Sequence, residues 1–404
     1  MSAHGCKNKE HKKKCIKQCS KEDYKAAAKV TEGISAAINL TSTNPKKSAK
    51  KFASYFARGG VFSSSYNPID NEFLLTPANV YGRSNVYENS LAYATSGVET
   101  DQHVEPRLLI WDCLNRTMVV EKGWQATLNE PRVFGYGFND ENQPVPTIVL
   151  PAGATYQQDD AVVFRFNDDQ LVYYREYFDT TQFVSTYTTD YPKVCKNKCP
   201  KPCASINPCT IQPCTENDRA RAIEVFDSIS YALNLLSYDE QLSADLFTSL
   251  FAKEGVWSVS ISPSTYPYTD VPQANFKGHQ QVKDFYLSYA LNPGETDQKV
   301  TTRRVYWDCN NRTLAVERLW EAKLTAPRIF GYANTPGGNP PTVLGVGDTY
   351  QQDDLVVVRF DCNYKVLFYR EYFDLWQYQT TYTEFVPPVD TNSCKTINTC
   401  EQCK

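Results

Sequence analysis

Two stretches of the chain, one starting near residue 104 and one near residue 300, alternate apolar and polar positions with a period of two. Val, Tyr, Phe and Trp dominate both, which predicts long antiparallel strands. The stretch before each reads differently. Residues 22–40 and 217–236 place Ala, Ile and Leu at helical spacing, which predicts one helix in each. A second helix is expected to open at Asn44-Pro45, because proline suits the first helical position. Phe52, Tyr55 and Phe56 would form its apolar face, matched later by Phe247, Leu250 and Phe251. Gly59-Gly60 and Gly255 are expected to end this helix, with strands following at Val61 and Val256. A third helix should start after Gly82 and after Gly278, with Val86 and Tyr93, or Val282 and Tyr289, turned inward. Asp112 to Arg116 and Asp308 to Arg312 read as hairpin turns. So do Asn167-Asp168-Asp169 and Asp361-Cys362-Asn363.

The order of elements occurs twice because the chain is a tandem duplication. Residues 108–136 align with 304–332 without a gap, and 16 of the 29 positions are identical. The shared signature is Trp111-Asp112-Cys113, Asn115-Arg116-Thr117, Glu121, Trp124, Pro131-Arg132 and Phe134-Gly135-Tyr136. Its second copy starts at Trp307-Asp308-Cys309 and ends at Phe330-Gly331-Tyr332. Thr155 to Asp160 recurs as Thr349 to Asp354, Tyr174 to Asp179 as Tyr369 to Asp374, and Glu99-Thr100-Asp101 as Glu295-Thr296-Asp297. A unit of roughly 170 residues is a domain rather than a solenoid repeat. The expected organisation is a Cys/Lys-rich tail (1–21), a first domain (22–193), a Cys/Pro-rich linker (194–215), a second domain (216–389) and a Cys-rich tail (390–404).

A chain of 404 residues suits two cores better than one. With 42 basic against 46 acidic residues the net charge is −4, so nothing draws the whole chain toward nucleic acid. The lysines of the first tail (Lys7, Lys9, Lys12, Lys13, Lys14 and Lys17) could touch phosphates, but a solvated tail is the commoner outcome. No apolar run is long enough to span a bilayer, and the N-terminus shows no apolar core of a secretory signal. Eleven of the 14 cysteines lie outside the two units: Cys6, Cys15, Cys19, Cys195, Cys199, Cys203, Cys209, Cys214, Cys394, Cys400 and Cys403. Their segments are polar and carry too little apolar material to fold unaided, so covalent staples are expected. Zinc is disfavoured, because only Cys400 and Cys403 have two-residue spacing and no histidine joins the central group. Neither a metal nor a cofactor is called for.

The second helix of the later unit ends in Phe251-Ala252-Lys253-Glu254-Gly255-Val256-Trp257, then Phe276-Lys277-Gly278 opens the third. The unit closes on Tyr369-Arg370-Glu371-Tyr372-Phe373-Asp374. This arrangement resembles the NTF2-like superfamily, and within it the SnoaL-like group, over both units. The resemblance implies an α+β fold built as two tandem cones, each a curved antiparallel sheet wrapped on three helices around a possible interior pocket. Enzymes of the family place a carboxylate or histidine in that cone. By location Asp101 and Asp297 are candidates, and so are Glu121 and Glu317 within the strands. The plainer expectation is that strand carboxylates face solvent or pair with arginine. His103 aligns with Lys299 and His279 with Arg83, so no histidine site is duplicated.

Two further motifs have plain readings. The repeated Trp-Asp-Cys turn reads as a hairpin with a core Trp and an Asp–Asn cap, although Asn115, Asn311 and Asn39 each sit in a glycosylation sequon. Tyr174, Glu176 and Phe178 share one strand face, while Arg175, Tyr177 and Asp179 share the other. Trp124 and Trp320 are expected to be buried alike. The leading expectation is therefore a non-catalytic structural or assembly protein. It would associate with itself or other proteins through sheet faces and cysteine-rich segments, in an oxidising setting such as a viral particle or the extracellular space. The rival is a SnoaL-like isomerase, cyclase or small-molecule binder. An open cone with a buried carboxylate would favour the rival, and one filled by Trp and Tyr the scaffold.

Overall fold

The computed structural model describes residues 20–67, 72–190, 216–259, 274–291, 294–330, 341–373, 377–380 and 382. The eleven tail and linker cysteines lie outside them.

Unit 1 begins with α1 (Lys21–Ile38), whose first turn is closed by a capping box between Ser20 and Asp23. α2 (Pro45–Ser54) follows, with the Asn44 side chain accepting from Lys47 N. Then come β1 (Phe56–Asn67), β2 (Glu72–Tyr81) and α3 (Arg83–Thr95). The long strands are β3 (Glu99–Asp112), β4 (Thr117–Leu128), β7 (Thr155–Asn167) and β8 (Gln170–Phe178). β5 (Arg132–Phe138) and β6 (Pro144–Leu150) form a separate hairpin. The six-stranded sheet has the order β2-β1-β8-β7-β4-β3, with β1 parallel to β8 and every other pair antiparallel.

Unit 2 repeats this plan. α4 (Glu216–Asn234), α5 (Glu240–Ser249), β9 (Phe251–Val259), β10 (Ala274–Lys277) and α6 (Gly278–Leu291) precede β11 (Glu295–Asp308) and β12 (Thr313–Leu324). β13 (Arg328–Phe330) pairs β14 (Thr342–Leu344), and β15 (Thr349–Phe360) and β16 (Val366–Phe373) complete a sheet of order β10-β9-β16-β15-β12-β11. The expected duplication of an α+β fold is thus observed.

One boundary differs from expectation. The second helix of each unit stops before Phe56 or Phe251, and Gly60 and Gly255 lie inside strands rather than ending a helix. The parallel pairing of β1 with β8 shifts register between Phe56 and Val61. There the backbone comes so close that a Cβ on Gly60 would meet Leu171 O at 2.6 Å, and one on Gly255 would meet Val366 O at 2.5 Å. Glycine is required for that approach.

One face of each sheet packs on its helices. In unit 1, Ala27, Val30 and Ile34 of α1 and Phe52 of α2 meet Met118, Val120, Val162, Phe164 and Tyr174. Trp111 and Trp307 are buried as expected, and Asp112 and Asp308 cap their turns through Asn115 and Asn311. Those two carboxylates also reach across the molecule. Asp112 Oδ2 accepts Trp307 N at 3.2 Å, and Asp308 Oδ2 accepts Trp111 N at 3.3 Å.

This reciprocity is the signature of two units packed sheet to sheet about a pseudo-twofold axis. Ile110, Val119, Ala161, Val163 and Tyr177 of unit 1 form one cluster with Tyr306, Ala315, Leu355, Val357 and Tyr372 of unit 2. Arg175 pairs with Asp353, and Arg370 with Asp159, each at 2.7 Å and fully buried. The sheet faces expected to serve association therefore cover each other within one chain.

Candidate functional site

Residues at even positions of β4 and β7 face the cone, and odd ones face the other unit. That alternation places Lys122, Trp124, Gln158 and Asp160 inside unit 1, joined by Tyr174, Glu176 and Phe178 of β8. A cavity of about 140 Å³ lies there. Its walls include Phe52, Phe62, Tyr93, Trp124 and Phe178, and its polar groups include Glu99, Arg132, Tyr156, Gln158, Asp160 and Glu176.

The polar groups form two clusters. In the first, Glu99 Oε1 accepts from Tyr156 OH at 2.6 Å and from Arg132 Nη1 at 2.7 Å, while Oε2 accepts from Tyr93 OH at 3.0 Å. Trp124 Nε1 donates to Tyr156 OH at 3.0 Å. Burial, with Glu99 alongside, pushes the Tyr156 phenol well above its ordinary value, so it stays protonated. In the second, the ammonium of Lys122 lies 3.0 Å from Glu176 Oε1 and 3.5 Å from Asp160 Oδ2. Tyr174 OH donates to Glu176 at 2.7 Å. Burial alone would lower Lys122, but the two carboxylates outweigh it and hold it above the usual lysine value.

Asp160 and its unit 2 counterpart Asp354 each have a buried Oδ1 that accepts no hydrogen bond from any described residue, but of the two it is Asp160 that lines this cavity. Asp160 is 4% exposed. Burial raises its pKa to about 7, against the pull of Lys122, with Glu176 and Asp159 adding repulsion. A carboxyl there holds or releases a proton near neutrality, which an acid–base group requires.

Unit 2 keeps the frame and changes the filling. Glu295 still accepts from Tyr289 and Tyr350, and Arg328 lies 3.4 Å from it. Arg318 replaces Lys122 and binds Asp354 and Glu371. Asp354, like Asp160, is raised to about 7 by burial. The cavity-lining positions differ, however. Thr41, Phe62, Ser64, Asn89 and Ser90 correspond to Leu236, Trp257, Val259, Phe285 and Tyr286, all five buried. Tyr286 stacks within 4.6 Å of Phe247 and shares a 2.7 Å hydrogen bond with Ser243, and Trp257 packs edge-on against Phe285. Those aromatic rings occupy the space that unit 1 leaves open. The difference reaches Trp124: Trp320 is buried as expected, whereas Trp124 is only half-buried because it borders the cavity.

None of the four carboxylates expected from the sequence lines this cavity. Asp101 and Asp297 are exposed in matching bulges, each with φ of 54°. Glu121 and Glu317 are buried on the opposite sheet face, where Tyr372 OH donates to Glu121 at 2.5 Å and Tyr177 and Tyr306 donate to Glu317 at 2.5 and 2.6 Å. They brace the contact between units. The cavity carboxylates Glu99, Asp160 and Glu176 all belong to repeated segments, but repetition alone does not separate them from their neighbours. Cys113, Cys309 and Cys362, not among the expected disulfide formers, are each disulfide-bonded. Among the described residues no group of three or more His, Cys, Asp or Glu could hold a metal ion, and no helix is long and apolar enough to cross a membrane.

The strand order, the parallel β1–β8 pairing and the three helices on one face make each unit an α+β cone of the NTF2-like kind. Several solved structures are similar to part of this chain. A putative isomerase from Bacillus subtilis is 16% identical, covering 39% of this chain and 88% of its own, with a TM-score of 0.27. An NTF2-like protein from Anabaena variabilis is 17% identical, covering 42% and 99%, with a TM-score of 0.27. The epoxide hydrolase/cyclase-like enzyme SalBIII is 9% identical, covering 40% and 92%, with a TM-score of 0.25. These scores are too low to carry more than the topology already does. No protein-family model and no curated protein matches the sequence.

Proposed function

We propose that unit 1 binds a small molecule inside its cone, that Asp160 is the group that engages it, and that unit 2 is a closed copy bracing unit 1. The observation behind this reading is the cavity of about 140 Å³ with the buried carboxyl of Asp160 in its wall; its counterpart Asp354 also has an Oδ1 without a described donor, but in a cone whose matching positions are filled by aromatic rings. A buried acceptor without a donor is costly and suits a site that a ligand completes. A proton exchangeable near pH 7 also equips the cavity for an acid–base step of the kind an isomerase or cyclase on this fold would use. Unit 2, with its aromatic filling, and the buried interface between units support the bracing role.

The test is a fragment screen by saturation-transfer NMR on the full chain and on a variant carrying Asn89→Phe and Ser90→Tyr, the unit 2 residues. Hits that compete for one site in the parent chain and vanish in the variant support the reading. Hits that persist in the variant, or none in either chain, oppose it.

A further inference from the structure

The same cavity carries a more specific inference, which rests on the binding reading above. We infer that the ligand of unit 1 is a small organic cation, a protonated amine about the size of a single ring, that pairs with the Asp160 carboxylate.

Size comes first. A cavity of about 140 Å³ is comparable to a protein cavity of about 150 Å³ that accepts benzene. One ring with a short substituent is therefore the scale.

Charge comes next. Three carboxylates, Glu99, Asp160 and Glu176, line the cavity. Among the described residues two cations answer them: Arg132 on Glu99, and Lys122 shared between Asp160 and Glu176. With every group ionised the site carries one excess negative charge in a buried setting, which is expensive. The site can close that imbalance by keeping a proton on Asp160, consistent with its raised pKa. A cationic ligand closes it instead. The groups facing Asp160 are Lys122 from β4, Glu176 and Tyr174 from β8 and Asp159 beside it, with Glu99 and Arg132 on the cavity wall. None of them supplies the missing positive charge. An anionic ligand would add to the excess.

Wall chemistry points the same way. Phe52, Phe62, Tyr93 and Trp124 present aromatic rings, and ring faces attract cations, most strongly when water is excluded. Hydrogen-bond geometry supplies the last element. Glu99 is already met by three donors and Glu176 by two on one oxygen, whereas Asp160 has Lys122 on Oδ2 and no described donor on Oδ1. Asp354 shares that orphaned oxygen, but in a cone whose matching positions are filled by aromatic rings.

Binding then balances simply. The ammonium enters with its charge, the Asp160 carboxyl loses its proton to solvent, and the pair forms with no net change of charge in the cavity. Affinity for an amine should therefore fall about tenfold per pH unit below pH 7 and level off above it.

The experiment is calorimetric titration of the full chain with benzylamine, benzyl alcohol and benzoate from pH 5.5 to 8.5. Benzylamine stays protonated over this range, so its pH dependence reports the protein. Binding of benzylamine at least tenfold tighter than benzyl alcohol at pH 8, with one proton released in buffers of different ionisation enthalpy at pH 6, supports the inference. Asp160→Asn should remove that preference, bringing benzylamine to within about twofold of benzyl alcohol, and abolish the proton release. Should Asp160→Asn fail to fold, the pH profile and proton release of the parent chain decide alone. Equal binding of amine and alcohol, a preference for benzoate, or a pH-independent amine affinity overturns the cation while leaving the cavity reading standing. Absence of binding by all three probes, or binding that survives Ser90→Tyr, overturns both.

Discussion

Ser90→Tyr places in unit 1 the residue that closes unit 2, and its effect can be worked out from the structure. Tyr286, the counterpart of Ser90, is fully buried and hydrogen-bonded to Ser243 at 2.7 Å. Unit 1 retains the matching hydroxyl, Ser48, which lies 3.1 Å from Thr41 Oγ1. A tyrosine introduced at 90 thus finds both space and a hydrogen-bond partner. At about 24 cal/mol per Å³, filling the whole 140 Å³ would stabilise by about 3 kcal/mol. One ring does not fill all of it, and overpacking against Phe52 and Phe62 costs part of the gain. The expected net gain is about 1–2 kcal/mol. The reverse change, Tyr286→Ser, opens a void in a filled cone and should cost about 3–5 kcal/mol. Urea unfolding followed by near-UV circular dichroism measures both changes. A loss above about 1 kcal/mol for Ser90→Tyr, together with a negligible cost for Tyr286→Ser, would refute the claim that one cone is open and the other filled.

Further outcomes follow from the same structure. Asp159→Ala should destabilise by about 3–5 kcal/mol, because Asp159 answers Arg370 at 2.7 Å and Arg107 at 2.5 Å and holds Thr186 N at 2.7 Å; a cost under 1 kcal/mol on denaturant unfolding would contradict its bridging role. Asp160 has a raised folded pKa, so the fold binds more protons than the unfolded chain between about pH 4 and pH 7, and this group favours folding less as pH rises through that window. The stability difference between Asp160→Asn and the parent chain should therefore grow in the variant's favour from pH 5 to pH 8; a difference independent of pH would count against the shift. Cys113, Cys309 and Cys362 should resist alkylation until reduced. We propose the same for most of the eleven tail and linker cysteines, and non-reducing mass spectrometry showing eleven free thiols would end that proposal.

Much of this architecture is legible in the chain, and the reason is periodicity. The alternation through Tyr174 to Asp179 separates Tyr174, Glu176 and Phe178 from Arg175, Tyr177 and Asp179, and the structure sends the first set to the cavity and Arg175 and Tyr177 to the other unit. Arg175 is salt-bridged there, and its partner, Asp353, comes from the other copy and not from a neighbouring strand. The cavity carboxylates are less legible in the sequence. Asp101 and Glu99 stand two apart, and simple alternation would give them one face. The bulge between Thr100 and His103, with Asp101 at φ of 54°, breaks that alternation, leaving Asp101 exposed while Glu99 lines the cavity. Glu121 is buried, but by the second sheet, which covers the outer face and sets Tyr372 against it. Which cone stays open could not be read from the repeat, since it depends on Asn89 and Ser90 against Phe285 and Tyr286. Those pairs show their effect only once the third helix is laid over the sheet.

The open cone of unit 1 is most directly tested by a crystal structure under xenon pressure, because xenon fills apolar-walled cavities whatever their natural ligand. The account predicts a xenon site in unit 1 among Phe52, Phe62 and Trp124, and none among Trp257, Phe285 and Tyr286 of unit 2. Equal occupancy in both units, or an empty unit 1 cone, would contradict it.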